Sequence, residues 1–148
     1  ALKWAPGMTI VVGNTGVRAG TSEVNARVRM WLAEKAARRM HYFETIGALT
    51  RAAVPCLESG TWDELGRLLN LNQLALDRIG VSCPECDRLI DAALEAGAFG
   101  AKISGSGGGG IIIALASREK KQTVADAITR AGGEALMPEI GVSGAHVI

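Results

Sequence analysis

Apolar residues along the chain follow two different spacings, and the change from one to the other divides the sequence into predicted strands and helices. Short runs rich in β-branched residues are typical of strands, whereas apolar positions that recur every three or four residues are typical of helices. The sequence predicts strands at residues 8–12, 99–104, 111–116, 134–137 and 145–148, and helices within residues 24–57, 61–80, 82–97 and 117–132. This order predicts an α+β domain with an antiparallel or mixed sheet and helices on one face.

Local signals mark the expected ends of these elements. Pro55 lacks an amide donor, so we expect a kink or a stop near the end of the first helical block. Thr61 and Glu64 have the spacing of a capping box, in which the two side chains bond to backbone amides at the start of a helix. Gly80 suits the C-terminal cap of that helix, and Ser117 suits the N-terminal cap of the last one.

Length and composition limit the classes of protein that this sequence fits. Its 148 residues, 48% of them hydrophobic, suit one domain with a real core and exclude a disordered tail. A formal net charge of +1 gives no reason to expect nucleic acid or a membrane surface as a partner. No apolar run approaches the roughly 18 residues of a membrane span. Because the chain opens at Ala1 without a signal-peptide core, we expect a processed chain or a piece of a longer one.

The three cysteines are too few, and odd in number, for the disulfide scaffold of a secreted protein. We therefore expect reduced thiols and a cytoplasmic protein. Cys83 and Cys86 have the C-x-x-C spacing that serves redox dithiols and zinc sites. The sequence lacks the remaining parts of a thioredoxin unit, and other zinc ligands are distant along the chain. We therefore predict core packing for Cys86 and no metal site, with a redox or metal role as the alternative.

Five glycines within residues 105–110 form the most informative segment of the sequence. Each glycine that folding fixes costs roughly 0.5–1 kcal/mol relative to alanine, so a simple connection would not need five of them. Positive φ angles or close approach to a ligand would explain them, and successive amides in such a loop can bind phosphate. A flexible hairpin tip is the alternative. Because a strand follows, and Ile111 stands where a Walker lysine would, the loop is neither a dinucleotide fingerprint nor a P-loop.

Two longer segments carry a resemblance to a known family. Residues 97–111, GAFGAKISGSGGGGI, resemble the third signature motif of the GHMP kinases, which include galactokinase, homoserine kinase, mevalonate kinase and phosphomevalonate kinase. Residues 10–24, IVVGNTGVRAGTSEV, are similar to the segment that opens the C-terminal half of mevalonate kinases, especially archaeal ones. Residues 69–74 and 76–82 are similar to the family's intervening helices. The matches follow in order over nearly the whole chain.

This resemblance implies a fold and an activity. Residues 1–148 would form a single GHMP kinase C-terminal domain, a ferredoxin-like sheet elaborated with extra helices, and the family's N-terminal ATP-binding lobe would lie outside this chain. The parent enzyme would use Mg²⁺ and transfer the γ-phosphate of ATP to the C5 hydroxyl of mevalonate, in isoprenoid synthesis. Because the family's phosphate-wrapping loop and catalytic Lys and Asp belong to the N-terminal lobe, we expect no catalytic residue here and no ATP turnover by this chain alone.

The resemblance also implies site residues. The phosphate side of the nucleotide cleft would be formed by Gly105, Ser106, Gly107, Gly108 and Gly109. Thr21 matches the family position that faces mevalonate, and ordinary helix capping is its alternative role. Lys102 is either a phosphate contact or an exposed strand lysine. The sequence departs from the family where Ser106 replaces the more usual Ala, and where Ala19 stands in place of the Arg of animal mevalonate kinases.

The partners implied by the resemblance are the N-terminal lobe of the same enzyme, mevalonate, and a second copy in a homodimer. We expect apolar surface to be exposed where the N-terminal lobe packs. Two alternatives stay open on the sequence. One is another GHMP kinase, which would act on phosphomevalonate or homoserine, and the other is a stand-alone ligand-binding module without a kinase half.

Overall fold

A computed structural model describes residues 5–142 and divides them into four strands and five helices. The strands are β1 (Thr9–Asn14), β2 (Gly100–Ser104), β3 (Ile111–Ala116) and β4 (Glu134–Leu136). The helices are α1 (Thr21–Glu34), α2 (Ala36–Ser59), α3 (Trp62–Ile79), α4 (Pro84–Glu95) and α5 (Lys121–Arg130). The α+β class is confirmed, and the strand predicted at 145–148 lies outside the described residues. Within the described range, no helix has the length and apolarity needed to cross a membrane.

The four strands form one antiparallel sheet in the order β2-β3-β1-β4. Strands β1 and β3 are the central pair, with Val11 opposite Ala114, and β2 and β4 form the edges. This order, with one helical connection before β2 and another before β4, is the split β-α-β arrangement of ferredoxin-like folds. Four helices fill the first connection, where one would suffice. The predicted ferredoxin-like sheet with extra helices is therefore confirmed.

Apolar side chains cover both faces of the sheet, because alternate residues of a strand point to opposite faces. On one face Val11 and Ala114 are fully buried in a cluster that includes Leu89 of α4 and Ile128 of α5. Leu115 points to the other face and packs in a second cluster with residues of α2 and α3. The prediction that helices lie on one face is therefore wrong, because α2 and α3 add a second apolar layer.

Helix α3 lies close against the edge strand β2, because glycines occupy both sides of the contact. A Cβ atom on Gly66 would lie within 3.0 Å of the Phe99 backbone. A Cβ atom on Gly100 would lie within the same distance of the Gly66 backbone. No side chain larger than hydrogen fits between the helix and the strand at this point.

Two polar side chains of α3 close the outer edge of β2. The side-chain oxygen of Asn70 accepts a hydrogen bond from the Ala101 amide at 3.0 Å. That of Gln73 accepts one from the Ile103 amide at 3.0 Å, and this side chain is almost fully buried. These amides would otherwise be free to pair with a strand of another chain. The edge strand β2, which leads into residues 105–110, is therefore bound to α3 along its outer side.

The long helical block of the sequence consists of two helices. Helix α1 ends at Glu34 and α2 begins at Ala36, with Lys35 in a non-helical conformation between them. Helix α2 continues through Pro55 and ends at Ser59, so of the kink or stop expected near Pro55 the stop is not found at the proline itself. The apolar packing of α2 on α3 and on the sheet compensates for the missing amide bond.

The capping box predicted at Thr61 and Glu64 does not form. The Thr61 hydroxyl lies 3.0 Å from the Ser59 hydroxyl and makes no capping bond. The Glu64 carboxylate accepts two hydrogen bonds from the Arg67 guanidinium, at 2.9 and 2.6 Å. These bonds hold the pKa of Glu64 below its ordinary value. A bidentate charged contact one turn away therefore replaces the weaker bond to a backbone amide.

The two remaining caps have different outcomes. Gly80 ends α3 in the left-handed conformation with φ +81°, as predicted. The Ser117 hydroxyl accepts a hydrogen bond from the Lys120 amide at 3.3 Å, but α5 begins only at Lys121. Ser117 therefore caps the turn that precedes α5 and not the helix itself.

Candidate functional site

The glycine-rich loop, residues 105–110, connects β2 to β3 and has a backbone that residues with a Cβ rarely adopt. All five of its glycines have positive φ angles: Gly105 (93°), Gly107 (82°), Gly108 (73°), Gly109 (141°) and Gly110 (76°). Only glycine reaches this region without a steric penalty. The positive φ angles expected from the glycine content are therefore confirmed.

Backbone hydrogen bonds from two other segments hold this loop in place. The Gly108 amide donates to the Val81 carbonyl and the Gly110 amide donates to the Val17 carbonyl, each at 2.8 Å. The Gly110 carbonyl accepts the amide and the hydroxyl of Thr15, at 2.8 and 2.9 Å. The α3–α4 connection and the β1–α1 connection thus clamp the loop between them. It is a fixed part of the structure, and the alternative of a flexible hairpin tip is wrong.

One side of the loop is packed and the other is open. A Cβ atom on Gly107 would lie within 3.0 Å of the Val81 carbonyl, and one on Gly109 would lie 2.8 Å from the Val17 carbonyl. By contrast, a Cβ atom on Gly105 or Gly110 would meet nothing within 4 Å. The packed glycines fix the position of the loop, and the open ones leave its other side accessible to a ligand.

Helix α1 begins at Thr21, directly beside the loop. The Thr21 hydroxyl lies 3.3 Å from the Ser106 hydroxyl, which joins two residues 85 positions apart in the sequence. Gly20 precedes the helix and no side chain caps it, so the capping role considered for Thr21 is not found. The uncapped first turn carries the positive end of the helix dipole, and this end lies at the margin of the loop.

Thr21 and the loop line one open hollow of about 500 Å³. Its walls are formed by Val17, Arg18, Ala19, Thr21, Ser104, Gly105, Ser106, Gly107, Gly109, Gly110 and Ile111. Four of the five predicted loop residues are therefore in the lining, together with Thr21. The fifth, Gly108, is not part of this lining, and an added Cβ there would meet the side chains of Ala19 and Val24 at 3.0 Å. The structure thus brings both predicted parts of the site to one cavity, with Gly108 in a supporting position.

The lining of the hollow is electropositive. The amides of Gly105, Ser106, Gly107 and Gly109 donate no hydrogen bond to any residue within 5–142. Arg18 adds a cationic side chain, and the lining contains no carboxylate. Free amides in a glycine loop, a helix N-terminus and a guanidinium together suit a phosphate or carboxylate group. Arg18 was not predicted from the sequence, although a single cation in the turn before α1 is a signal that could have found it.

The donors in this hollow do not fit a Mg²⁺ ion. Mg²⁺ prefers carboxylate oxygens and water in octahedral geometry, whereas the hollow offers amides, hydroxyls and a guanidinium. Within the described range of the chain, no three His, Cys, Asp or Glu side chains come together as a metal site. The described residues therefore provide no binding site for this ion.

Lys102 lies outside the hollow. Its side chain lines a second, mainly apolar cavity of about 400 Å³ between α2, α3 and the sheet, together with Asn72 and with Gly105, which also lines the hollow. Burial lowers the pKa of Lys102, and its ammonium group donates to the Ile103 carbonyl at 2.6 Å. The alternative of an exposed strand lysine is therefore wrong, and a phosphate contact by Lys102 stays a prediction.

Two cysteines lie directly beneath the loop. Cys86 is fully buried, which confirms its predicted core position, and its thiol donates to the Gly109 carbonyl with a sulfur–oxygen distance of 3.7 Å. Cys83 is the N-cap residue of α4, and its sulfur accepts a hydrogen bond from the Cys86 amide at 3.4 Å. Both thiols are free. Burial, assisted by the neighbouring Cys83, raises the pKa of Cys86 to about 12.

Comparisons with known proteins show the family of the chain. The family model described as "GHMP kinases C terminal" matches residues 53–134. The chain is 39% identical to the mevalonate kinase of Thermococcus gammatolerans over 145 residues and 37% identical to that of Pyrococcus furiosus over 145 residues, and each match covers 95% of the chain. Among solved structures, L. major mevalonate kinase in complex with R-mevalonate superposes with a TM-score of 0.87 at 26% identity, covering 92% of this chain and 43% of that one.

The chain spans 43% of the length of each curated relative just described. The remaining part of those proteins has no counterpart in these 148 residues. The binding roles of Thr21 and of the glycine-rich loop are tested by none of these comparisons and stay predictions.

Proposed function

Because the chain belongs to the GHMP kinase family, we propose that it is the C-terminal domain of an ATP-dependent mevalonate kinase. The single observation that carries this proposal is the electropositive hollow in which Thr21 and the glycine-rich loop meet. The similarity of the chain to proteins named mevalonate kinase supports mevalonate as the substrate over the other substrates of the family. In this role the domain binds the acceptor and one side of the transferred phosphate.

The geometry suits phosphoryl transfer because that reaction depends on positioning and on neutralising charge. The free amides of Gly105, Ser106 and Gly107 would bind phosphate oxygens, and the fixed backbone of the loop would hold these donors in place before the ligand arrives. Arg18 and the first turn of α1, which begins at Thr21, add positive potential to the same hollow. The Thr21 hydroxyl lies 3.3 Å from the Ser106 hydroxyl, so it can orient an anionic or hydroxylated acceptor beside the loop.

The rest of the reaction belongs to parts outside the described residues. We propose that an N-terminal lobe supplies the ATP-wrapping loop, the acidic and basic catalytic groups and the ligands for Mg²⁺, since the hollow described here contains no carboxylate. ATP supplies the phosphoryl group, and the product enters isoprenoid synthesis. Exposed apolar side chains such as Met30 on α1 and Leu74 on α3 support further interfaces, with the lobe and in a homodimer. The homodimer and the cytoplasmic location stay predictions.

Substrate-dependent ADP release by the intact protein tests this function. We expect release with mevalonate, and none above background with homoserine or phosphomevalonate. The 148-residue chain alone is the matched control, and we expect it to release no ADP. ADP release with homoserine or phosphomevalonate, and none with mevalonate, would contradict the assignment of mevalonate as the substrate. Phosphorylation of mevalonate by the isolated chain would contradict the proposal that an N-terminal lobe supplies the catalytic groups. Binding of a ligand by an intact protein that transfers no phosphate would favour the stand-alone module.

Replacing Thr21 by valine should weaken acceptor binding without unfolding the domain. Valine keeps the shape of the side chain but removes the hydroxyl that contacts Ser106 and faces the hollow. We expect the KM for mevalonate to rise roughly tenfold, since one hydrogen bond to a charged group contributes about 1.5–3 kcal/mol. Thr21→Ser keeps the hydroxyl and should stay within about threefold of the parent. Equal KM values for the valine and serine variants would contradict the claim that the Thr21 hydroxyl binds mevalonate.

A further inference from the structure

We propose that Cys83 and Cys86 form a reversible disulfide, which makes the start of α4 a thiol modification site beneath the glycine-rich loop. The reactants are the two cysteines and a low-molecular-weight disulfide. This inference goes beyond the kinase function, and only its effect on turnover rests on that function.

The start of α4 already holds the two sulfur atoms on the same side. Cys83 is the N-cap residue in extended conformation, with φ −149° and ψ 157°, and Pro84 follows at the first helical position. In this arrangement an N-cap side chain folds back over the first turn, and the Cys83 sulfur reaches the Cys86 amide at 3.4 Å. Residues three positions apart at a helix start have the Cα separation that a disulfide requires. The start of α4 therefore meets the Cα spacing that closure requires.

The two thiols differ in exposure, which sets the order of the reaction. Cys83 is half-buried and open to a small reagent, whereas Cys86 has no exposed surface. A low-molecular-weight disulfide therefore cannot reach the Cys86 sulfur, whereas it can reach the Cys83 sulfur. Cys83 is thus the attacking residue and Cys86 is the resolving one.

The chemistry balances with a disulfide, RSSR, as the oxidant. The Cys83 thiolate attacks one sulfur of RSSR, so that a mixed disulfide forms at Cys83 and RS⁻ leaves. Cys86 then loses its proton and attacks the Cys83 sulfur, which forms the Cys83–Cys86 bond and releases a second RS⁻. The two protons of the cysteines pass to the two leaving thiolates. The protein loses two electrons, and RSSR is reduced to two thiols.

Closure changes the support of the glycine-rich loop. The Cys86 thiol donates its proton to the Gly109 carbonyl, and Gly109 lines the hollow. A disulfide sulfur has no proton to donate, so the Gly109 carbonyl loses this donor when the bond forms. We expect the loop to shift on that side, so that oxidation lowers kcat/KM for mevalonate roughly fivefold, the effect of about one hydrogen bond. Reduction should restore it.

Intact-protein mass spectrometry after incubation with oxidised glutathione tests this proposal. We expect the parent protein to lose two hydrogens and to carry no glutathione. Cys86→Ser should stop at the mixed disulfide and carry one glutathione on Cys83, whereas Cys83→Ser should stay unmodified. Cys56→Ala is the matched control and should behave as the parent, because Cys56 lies in the other apolar cluster.

Three outcomes would overturn the proposal: glutathione that stays on Cys83 in the parent protein, a reaction at Cys56, or no reaction at all. The mass readout does not depend on kinase activity, so a failed kinase assay leaves the disulfide test intact. NMR tests whether the disulfide affects the glycine-rich loop. We expect the amide signals of residues 109 and 110 to shift when the parent is oxidised and to stay unchanged in Cys83→Ser. A disulfide that forms without these shifts would contradict the claim that its closure changes the support of the glycine-rich loop.

Discussion

Replacing Gly107 by alanine is expected to lower mevalonate-dependent ADP release by the intact protein at least roughly a hundredfold. Two penalties act at this position. Its φ of +82° costs a residue with a Cβ about 1–2 kcal/mol. The added methyl group would also lie within 3.0 Å of the Val81 carbonyl and of the Val81 Cβ, so the loop must move. A displacement of about 1 Å of groups that bind a reacting phosphate costs on the order of a hundredfold in rate.

The control for this variant is Gly110→Ala in the same loop. Gly110 also has a positive φ, +76°, but nothing lies within 4 Å of the position of its Cβ. This variant therefore carries the backbone strain without the clash, and we expect it to keep activity within about tenfold of the parent. Steady-state kinetics on both variants, with thermal unfolding to verify folding, makes the comparison. Equal losses in the two variants would contradict the view that packing against Val81 positions the loop.

Replacing Gly66 by alanine is expected to destabilise the fold by about 3 kcal/mol. The added Cβ would lie within 3.0 Å of the carbonyl carbon and oxygen of Phe99, and a backbone cannot move aside as a flexible side chain can. Relief requires α3 to move away from β2, which would stretch the hydrogen bonds from Ala101 to Asn70 and from Ile103 to Gln73. Urea unfolding followed by circular dichroism measures the change in the free energy of unfolding.

Gly47 offers a matched control for Gly66, because both are glycines inside long helices. A Cβ on Gly47 would meet only the Arg51 guanidinium at 3.4 Å, which is the mobile end of a side chain. Alanine has the higher helix propensity, so Gly47→Ala should stabilise the protein by about 0.5–1 kcal/mol. The two substitutions are therefore expected to have opposite signs. A destabilisation of similar size in both variants would contradict the claim that the close contact between α3 and β2 makes Gly66→Ala destabilising.

Much of the fold could be predicted from the sequence, because long periodic segments and glycine caps are local signals. The apolar stripe that ends at Gly80 and the β-branched run of β3 are examples. The failures occur where a local signal competes with a tertiary contact. Glu64 has the spacing of a capping box but bonds to Arg67 instead, and Pro55 weakens a helix that packing on α3 sustains. Neither competitor is visible in the spacing of residues.

The candidate site could be predicted only in part. The glycine content indicated a specialised loop, and the family resemblance paired it with Thr21 across a long stretch of sequence. The supports of the loop could not be predicted, since the Val81 carbonyl and the Cys86 thiol reach it only when the α3–α4 connection folds beneath it. The roles of Gly108 and Lys102 likewise depend on which side of the loop or strand faces the hollow, and sequence spacing does not determine that.

The most direct test of the account is a ¹H–¹⁵N NMR titration of the intact protein with ADP and mevalonate. We expect the largest shifts at the amides of Ser106, Gly107 and Thr21, because their hollow receives the charged groups of the ligands. Thr21→Val should reduce the shifts that mevalonate induces. Shifts confined to the cavity around Lys102 and Asn72, with Ser106 and Gly107 unchanged, would contradict the central claim that the loop and the start of α1 form the ligand site.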